Sequence, residues 1–257
     1  MIHPTAVLEG DICLPEDGSV EIGPYAVLRG AISIGSGCRI AAHACIEGWV
    51  TMGDNNTVCQ GAVLGGDPQD LSFSRNTRSG LRIGSGNTFR EHVTIHRGSK
   101  DDSFTTVGDR NFLMAGCHLG HDVTVGDGNV IANNVLFGGH VSLGNNTFLG
   151  GASVYHQFIR IGSGAMVQGH GGFSKDIPPY VIAHGVNSLA GLNVVGLRRA
   201  GVSAERRMML KKAFDLLHSD MLPFEDLARL ADSPEWTNES AVFFAFFRHP
   251  SRKGICR

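Results

Sequence analysis

The chain has 257 residues and a formal net charge of −2, so neither sign of charge dominates. This balance argues against nucleic acid or an anionic membrane surface as a partner. No apolar run reaches about 18 residues and no basic-then-apolar leader is visible, so we expect a cytoplasmic protein without a transmembrane segment. Glycine is the compositional outlier, with 35 residues, which indicates a chain that turns often.

A six-residue repeat organises the chain from residue 22 to residue 173. Neither an amphipathic helix, with apolar spacings of three and four, nor a half-buried strand with strict alternation explains this period. The repeat predicts a parallel β-helix in which three short strands and three turns make an 18-residue coil. Asparagine pairs at 55–56, 133–134 and 145–146 predict corners with positive φ. The apolar series comprises Ile22, Leu28, Ile34, Ile40, Ile46, Met52, Val58, Leu64, then Ile83, Phe89, Ile95, then Val107, Leu113, Leu119, Val125, Ile131, Phe137, Leu143, Leu149, Tyr155, Ile161, Val167, Phe173.

Two segments break the repeat and predict loops that leave the solenoid. Residues 65–82 shift the register by one position, and residues 97–106 place Asp101 where an apolar residue belongs. Loops on a rigid scaffold often carry function, and a tolerated insertion is the equally weighted alternative.

The pattern changes after Ser174, where the segment KDIPPYVIAHG ends the repeat. An amphipathic helix is predicted after the N-cap Ser203, from an apolar stripe at Met209, Leu210, Ala213, Phe214 and Leu217. Two further short helices are predicted around Leu227 and over residues 241–247. We therefore expect a β-helix domain at 1–190 and a C-terminal helical region at 191–257, which covers an open end of the solenoid.

The stretch AGCHLGHDVTVG, residues 115–126, concentrates polar chemistry within the repeat. Its apolar register leaves His118 and His121 free to face a cleft. The residues alone allow three interpretations: a general base with Asp122 as its helper, a pair of metal ligands, or polar surface residues. Three-residue histidine spacing occurs in metal sites, but no third ligand is evident in the sequence.

The 18-residue coil brings distant parts of the sequence together. Gly139 lies one coil after His121, and His140 lies one coil after Asp122, so each pair is separated by roughly one strand spacing of ~4.8 Å. His156 lies two coils after residue 120, beside the same strip of surface.

Motifs between the repeats resemble, in their order along the chain, those of the UDP-N-acetylglucosamine acyltransferases of lipid A biosynthesis. They are GGDPQDL (65–71), VTIHRG (93–98), HLGHDVTVG (118–126), GGHVSLGN (138–145), VYHQF (154–158), DIPPYVIAHG (176–185) and GLRRAG (196–201). The resemblance implies a left-handed β-helix that forms homotrimers, with active sites in clefts between subunits. It also implies transfer of a 3-hydroxyacyl chain from acyl carrier protein to the 3-hydroxyl of UDP-N-acetylglucosamine, the first step of lipid A biosynthesis, without a metal or organic cofactor.

The same resemblance implies catalytic roles for particular residues. His121 matches the general base, Asp122 would hold its tautomer, and the backbone N–H of Gly139 matches the donor to the oxyanion. Supporting roles are assigned to three further motif histidines, His118, His140 and His156.

Substrate-binding roles carry over to fewer positions. Asp70 matches a residue near the acyl donor and the sugar. Gln157, Asn193 and Arg199 match positions that contact nucleotide and sugar, and the planar fork of Arg199 suits phosphate. Gly169 matches the position that limits acyl length, and glycine there implies room for a longer chain.

Several positions depart from the family pattern at donor and sugar contacts, among them Asn187, where the family often has histidine. Ser72 stands where lysine is common, Val195 where glutamate is common, and Ala200 where the second arginine of a cluster is common. These departures leave open the acyl length, a sugar nucleotide with an amine in place of the 3-hydroxyl, and another acyl donor. A non-catalytic scaffold and a metal-dependent enzyme are the alternatives from other classes.

Overall fold

The computed structural model describes residues 1–218, 224–236 and 238–257 and shows a parallel β-solenoid followed by short helices. Three walls of stacked strands enclose the core. Wall one contains β2 (Glu21–Ile22), β4 (Arg39–Ile40), β6 (Thr57–Val58), β9 (Thr88–Phe89), β12 (Phe112–Leu113), β15 (Val130–Ile131), β18 (Phe148–Leu149), β21 (Met166–Val167), β23 (Val181–His184) and the antiparallel β24 (Ser188–Leu192).

Walls two and three begin on the same three long strands, β1 (Val7–Cys13), β3 (Val27–Ile34) and β5 (Cys45–Met52). These strands bend at stacked glycines, where a Cβ on Gly30 would lie 2.2 Å from the Gly48 carbonyl oxygen. Wall two continues with β7 (Val63–Gly66), β10 (Thr94–His96), β13 (His118–Leu119), β16 (Leu136–Phe137), β19 (Val154–Tyr155) and β22 (Gly172–Phe173). Wall three continues with β8 (Gly80–Ile83), β11 (Phe104–Val107), β14 (Thr124–Val125), β17 (Ser142–Leu143) and β20 (Arg160–Ile161).

The core confirms the six-residue register. Every residue of the three predicted apolar series is buried, and the most exposed of them, Ile83, is only 5% exposed. Strand partners such as Thr124 and Ser142 are 18 residues apart, so each apolar side chain stacks on its counterpart in the next coil. Burial of each such side chain stabilises the fold by about 1.5–3 kcal/mol.

Three corners join the walls. The first corner joins wall two to wall three at residues 120–123, the second joins wall three to wall one at 126–129, and the third joins wall one to wall two at 132–135, each with its counterparts in the other coils. At the second corner, buried asparagines form a ladder in which the Asn111 side-chain oxygen accepts bonds from the backbone N–H and the side-chain amide of Asn129, both at 2.9 Å. The ladder satisfies polar groups that no wall can pair, and the sequence pattern did not single it out.

Positive φ values at the corners are only partly those expected. Asn55, Asn134 and Asn146 have φ between 54° and 58°, which confirms one residue of each asparagine pair. At the first corner the same position is filled by other residues, Asp122 with φ of 58° and His140 with φ of 60°.

Both predicted loops leave the solenoid at the first corner. They span residues 67–79 and 97–103, somewhat shorter than predicted, because β8 already begins at Gly80 and β11 at Phe104. The loops contact each other, since the Arg78 N–H donates to Asp101 Oδ1 at 2.7 Å. Each loop therefore covers the corner that carries His121.

The C-terminal region contains α1 (Val194–Arg199), α2 (Ala204–His218), α3 (Phe224–Leu230), α4 (Asn238–Ala245) and a 3-10 helix (Phe246–Arg248). Ser203 caps α2 as predicted, accepting a 3.3 Å bond from the Arg206 N–H, whereas the sequence did not predict α1. The boundary drawn between residues 190 and 191 falls inside β24, which ends at Leu192. Buried residues of α2 and α4 join the same apolar cluster as the solenoid. Within the described part of the chain, no helix combines the length and apolar character needed to cross a membrane.

Candidate active site

The first corner places an imidazole and a carboxylate in direct contact. The turn that follows β13 carries both, and Asp122 adopts a φ of 58° that directs its side chain back toward the preceding residue's ring. The two atoms His121 Nδ1 and Asp122 Oδ2 are 2.8 Å apart. Both side chains are mostly buried, with 14% and 11% exposure, so their interaction is screened less than a surface pair would be.

Asp122 is fixed by the second loop, as well as by its neighbour. The Ser99 hydroxyl donates to Asp122 Oδ2 at 2.6 Å, and the Ser99 N–H donates to the same oxygen at 3.1 Å. The Asp122 N–H donates to Thr105 Oγ1 at 2.8 Å. Burial alone would raise the pKa of the Asp122 carboxyl, but hydrogen bonds from Ser99 and His121 outweigh burial and lower that pKa. The carboxylate is therefore charged at neutral pH and oriented toward the imidazole.

Ser99 is a site residue that the sequence did not reveal. Its partner Asp122 lies 23 residues away, so no local motif links the two residues. The sequence marked Ser99 only through its place in the segment 97–106, which breaks the repeat.

Gly139 lies against the other nitrogen of the imidazole, as the coil arithmetic predicted. A Cβ on Gly139 would come within 2.6 Å of His121 Nε2, so the ring occupies space that any side chain would need. Among the described residues, no acceptor takes a hydrogen bond from the Gly139 N–H. A buried donor without a protein acceptor, beside a basic nitrogen, is available for a ligand oxygen.

His140 contacts the same carboxylate from the next coil. Its Nε2 is 3.7 Å from Asp122 Oδ2, and its ring meets the His121 ring edge-on with centroids 5.0 Å apart. Burial is the main cause that lowers the pKa of His140, although Asp122 acts in the opposite direction. His140 is therefore close enough to influence the imidazole–carboxylate pair.

The other two predicted supporting histidines lie on wall two. His118 bonds Thr94 Oγ1 through Nδ1 at 2.8 Å and meets the ring of His96 edge-on at 4.8 Å. Burial lowers the pKa of His96 to about 4, so that ring is neutral at pH 7. His156 is exposed, and with His118 it lines a groove of about 580 Å³ on the outer face of wall two.

Metal ligands would come from a different set than the sequence suggested. His121, Asp122 and His140 offer possible ligand atoms within 4.8 Å of one another, and His118 is not part of this group. Because Nδ1 of His121 already bonds the carboxylate, a metal at that nitrogen would have to break this hydrogen bond. A site without metal stays a prediction, which metal analysis of the purified protein tests.

The positions assigned to substrate binding are not brought together within one chain. Gln157 lies at the first corner, two coils after His121, and Asp70 lies in the loop over that corner. Hydrogen bonds from Ser72 to Asp70 Oδ1, both at 2.8 Å, lower the pKa of Asp70, which gives a local role to one residue that departs from the family pattern. Gly169 lies at the third corner, on the opposite edge of wall two from His121.

Asn193 and Arg199 lie at the second corner instead. Asn193 caps α1, accepting from the Gly196 N–H at 2.9 Å, and its amide donates to the Gly164 carbonyl at 3.0 Å. Arg199 ends the same helix and lines a cavity with Asn193. In a single chain, these two residues and His121 therefore lie at opposite edges of wall three.

The fold and the corner site define a transferase of the hexapeptide-repeat class. Residues 104–139 match the family described as bacterial transferase hexapeptide (six repeats), and residues 176–256 match Udp N-acetylglucosamine O-acyltransferase; Domain 2. An acyl-[acyl-carrier-protein]–UDP-N-acetylglucosamine O-acyltransferase of Paraburkholderia phymatum is 41% identical, over 100% of this chain and 99% of that protein. The chain belongs to this acyltransferase family.

Solved structures agree over the full length. The UDP-N-acetylglucosamine acyltransferase of Francisella novicida superposes with a TM-score of 0.92 at 31% identity, covering 100% of this chain and 94% of that one. The UDP-N-acetylglucosamine O-acyltransferase of Moraxella catarrhalis gives a TM-score of 0.90 at 35% identity, covering 100% and 99%.

Proposed function

We propose that the protein transfers a 3-hydroxyacyl chain from acyl carrier protein to the 3-hydroxyl of UDP-N-acetylglucosamine, the first step of lipid A biosynthesis. Family membership over the whole chain supports the reaction and its two substrates. The observation that carries the chemistry is the contact of His121 with Asp122 on one side and Gly139 on the other. A cytoplasmic location belongs to the same proposal, and cell fractionation tests it.

The geometry suits direct attack of the sugar hydroxyl on the acyl thioester. Neutral His121 takes the hydroxyl proton at Nε2 as the new C–O bond forms, while Nδ1–H stays bonded to Asp122 and the carboxylate stabilises the imidazolium. The Gly139 N–H donates to the oxyanion of the tetrahedral intermediate, a contribution of about 10²–10³-fold. Collapse of that intermediate breaks the C–S bond, and the imidazolium returns its proton to the departing thiolate.

A homotrimer is part of the proposal because one chain holds the site in two halves. Asn193 and Arg199 lie at the second corner, whereas His121 lies at the first corner. A neighbouring copy that packs its second corner beside the first corner would supply the nucleotide contacts to the base.

The acyl chain is proposed to lie along wall two. Leu136 and Val154 are each 43% exposed there and line the groove shared by His118 and His156. Gly169 borders the same wall at its far edge, which is consistent with a limit on acyl length set at that position.

The test incubates purified protein with UDP-N-acetylglucosamine and carrier proteins loaded with 3-hydroxyacyl chains of several lengths, and product is identified by mass spectrometry. A parallel arm offers the sugar nucleotide with a 3-amine, which the departures at Val195 and Ala200 keep as an alternative acceptor. His121→Ala is the matched control, and its activity should fall by about 10²–10⁴-fold. The proposal would be refuted if the wild type formed no product with either acceptor at any chain length.

A further inference from the structure

Four side chains form a stack that runs from the carboxylate of the site to the C-terminal tail. We call Asp122, His140, Phe158 and Arg252 the corner stack. The first three are 18 residues apart and share the same turn position, with φ of 58°, 60° and 70°. Such values are uncommon for residues other than glycine, and they direct the three side chains along one line at the first corner.

The contacts along the corner stack are close and consecutive. The rings of His140 and Phe158 are parallel within 8°, with centroids 4.6 Å apart. On the other face of the phenyl ring, the Arg252 guanidinium carbon is 5.4 Å from the centroid. Phe158 is thus sandwiched between an imidazole that touches the site and a cation from the tail.

We propose that Phe158 and Arg252 are positioning residues that hold His140 neutral and in place beside the base. This role rests on the acyl transfer proposed above and concerns the same site. Neither residue was singled out by the sequence as part of that site.

The first argument concerns the position of the His140 ring. The ring meets His121 edge-on at 5.0 Å, so any rotation of His140 would move it into or away from the base. The flat face of Phe158 limits that rotation and excludes water from one side of the imidazole. An aromatic stack of this kind contributes at most about tenfold to an equilibrium.

The second argument concerns charge. A protonated His140 would be an ion-pair partner for Asp122, whose same oxygen is needed by the imidazolium of His121 during the reaction. Arg252 disfavours that protonation, because it places a second positive charge beyond the phenyl ring. The charged and titratable groups that face His140 are Asp122, His121, Lys100 and Arg252, and of these only Asp122 raises its pKa.

The third argument concerns how the tail is held. The Cys256 N–H donates to the Asp176 carbonyl at 2.9 Å, and the Asp176 N–H donates to the Gly254 carbonyl at 2.8 Å. These bonds pair the tail with the last turns of the solenoid as a parallel bridge. Arg252 therefore approaches Phe158 from backbone that is tied to the same scaffold.

The experiment measures kcat/KM against pH for the full-length enzyme and for Arg252→Ala, Arg252→Lys and Lys253→Ala. Loss of the cation lets His140 take a proton at higher pH, so the acid limb of the Arg252→Ala profile moves to higher pH. The charge of Arg252 acts on the His140 ring across one phenyl ring, at roughly 10 Å, so kcat/KM on that limb should fall by about two- to fourfold. Arg252→Lys restores the limb, and Lys253→Ala, which removes a neighbouring charge from the same segment, keeps the wild-type limb.

A second pair of variants tests the ring. Phe158→Leu lowers kcat by about three- to tenfold while KM for both substrates changes little, and Phe158→Tyr retains the wild-type value. In a His140→Gln background, Arg252→Ala should no longer move the acid limb, because the residue through which it acts is gone.

Titration of the His140 ring, followed by NMR, gives a readout that does not depend on turnover. Arg252→Ala should raise the pKa of that ring and Lys253→Ala should not. An unchanged titration and an unchanged acid limb in Arg252→Ala would overturn the inference. A wild type that makes no product would instead refute the proposed function, and the titration would still decide the role of the corner stack.

Discussion

Replacement of Gly139 by alanine tests the proposed catalytic geometry directly. The added Cβ would lie 2.6 Å from Cε1 and from Nε2 of His121, whereas carbon atoms in contact settle near 3.5–4.0 Å. The ring must therefore move by about 1 Å, and a displacement of that size can cost about 10²-fold in rate. The φ of Gly139 is outside the left-handed region, so alanine fits the backbone and keeps the N–H that is proposed to donate to the oxyanion.

The assay compares kcat/KM of Gly139→Ala and wild type with 3-hydroxyacyl carrier protein and UDP-N-acetylglucosamine, alongside their melting temperatures. We expect a loss of about 10²-fold with a melting temperature close to that of the wild type. In a His121→Ala background, the same substitution should cost little more, since the ring that it displaces is absent. A folded Gly139→Ala enzyme within a few fold of wild-type activity would refute the placement of the base beside this glycine.

Three further results are expected. Asp122→Asn should lower kcat by about 10²-fold or more, because the imidazolium of His121 loses its charged partner. Ser99→Ala should lower kcat by less, because the Ser99 N–H still donates to Asp122. Steady-state kinetics of the two variants check this order. Burial lowers the pKa of His96 to about 4 in the folded protein, against about 6.5 in the unfolded chain, so the unfolded chain binds more protons below pH 6.5. The free energy of unfolding should therefore fall by on the order of 3 kcal/mol toward pH 4, and denaturant unfolding should show a smaller loss in His96→Gln. Asn111→Leu should lower the free energy of unfolding by about 2–5 kcal/mol, measured in the same way, because it leaves buried N–H donors of the ladder unpaired.

Much of the site could be placed by counting along the chain. Because a coil has 18 residues, Gly139 had to lie beside His121, and the structure finds them in contact. The same count predicted that His140 lies one coil after Asp122. It could not give the roles of Ser99 and Arg252, since neither belongs to the repeat and each reaches the first corner from a segment with its own path.

The sequence by itself determined the solenoid and placed the proposed catalytic pair, His121 and Asp122, at one of its corners. A period of six fixes which side chains face the core, and burial of every predicted apolar position follows from that geometry. Only the tertiary structure decided how the two loops and the tail close over the first corner, because their contacts join residues far apart in the chain and follow no period. It also decided that Asn193 and Arg199 lie at the second corner, a full wall away from His121, since that distance depends on where α1 packs after the last coil.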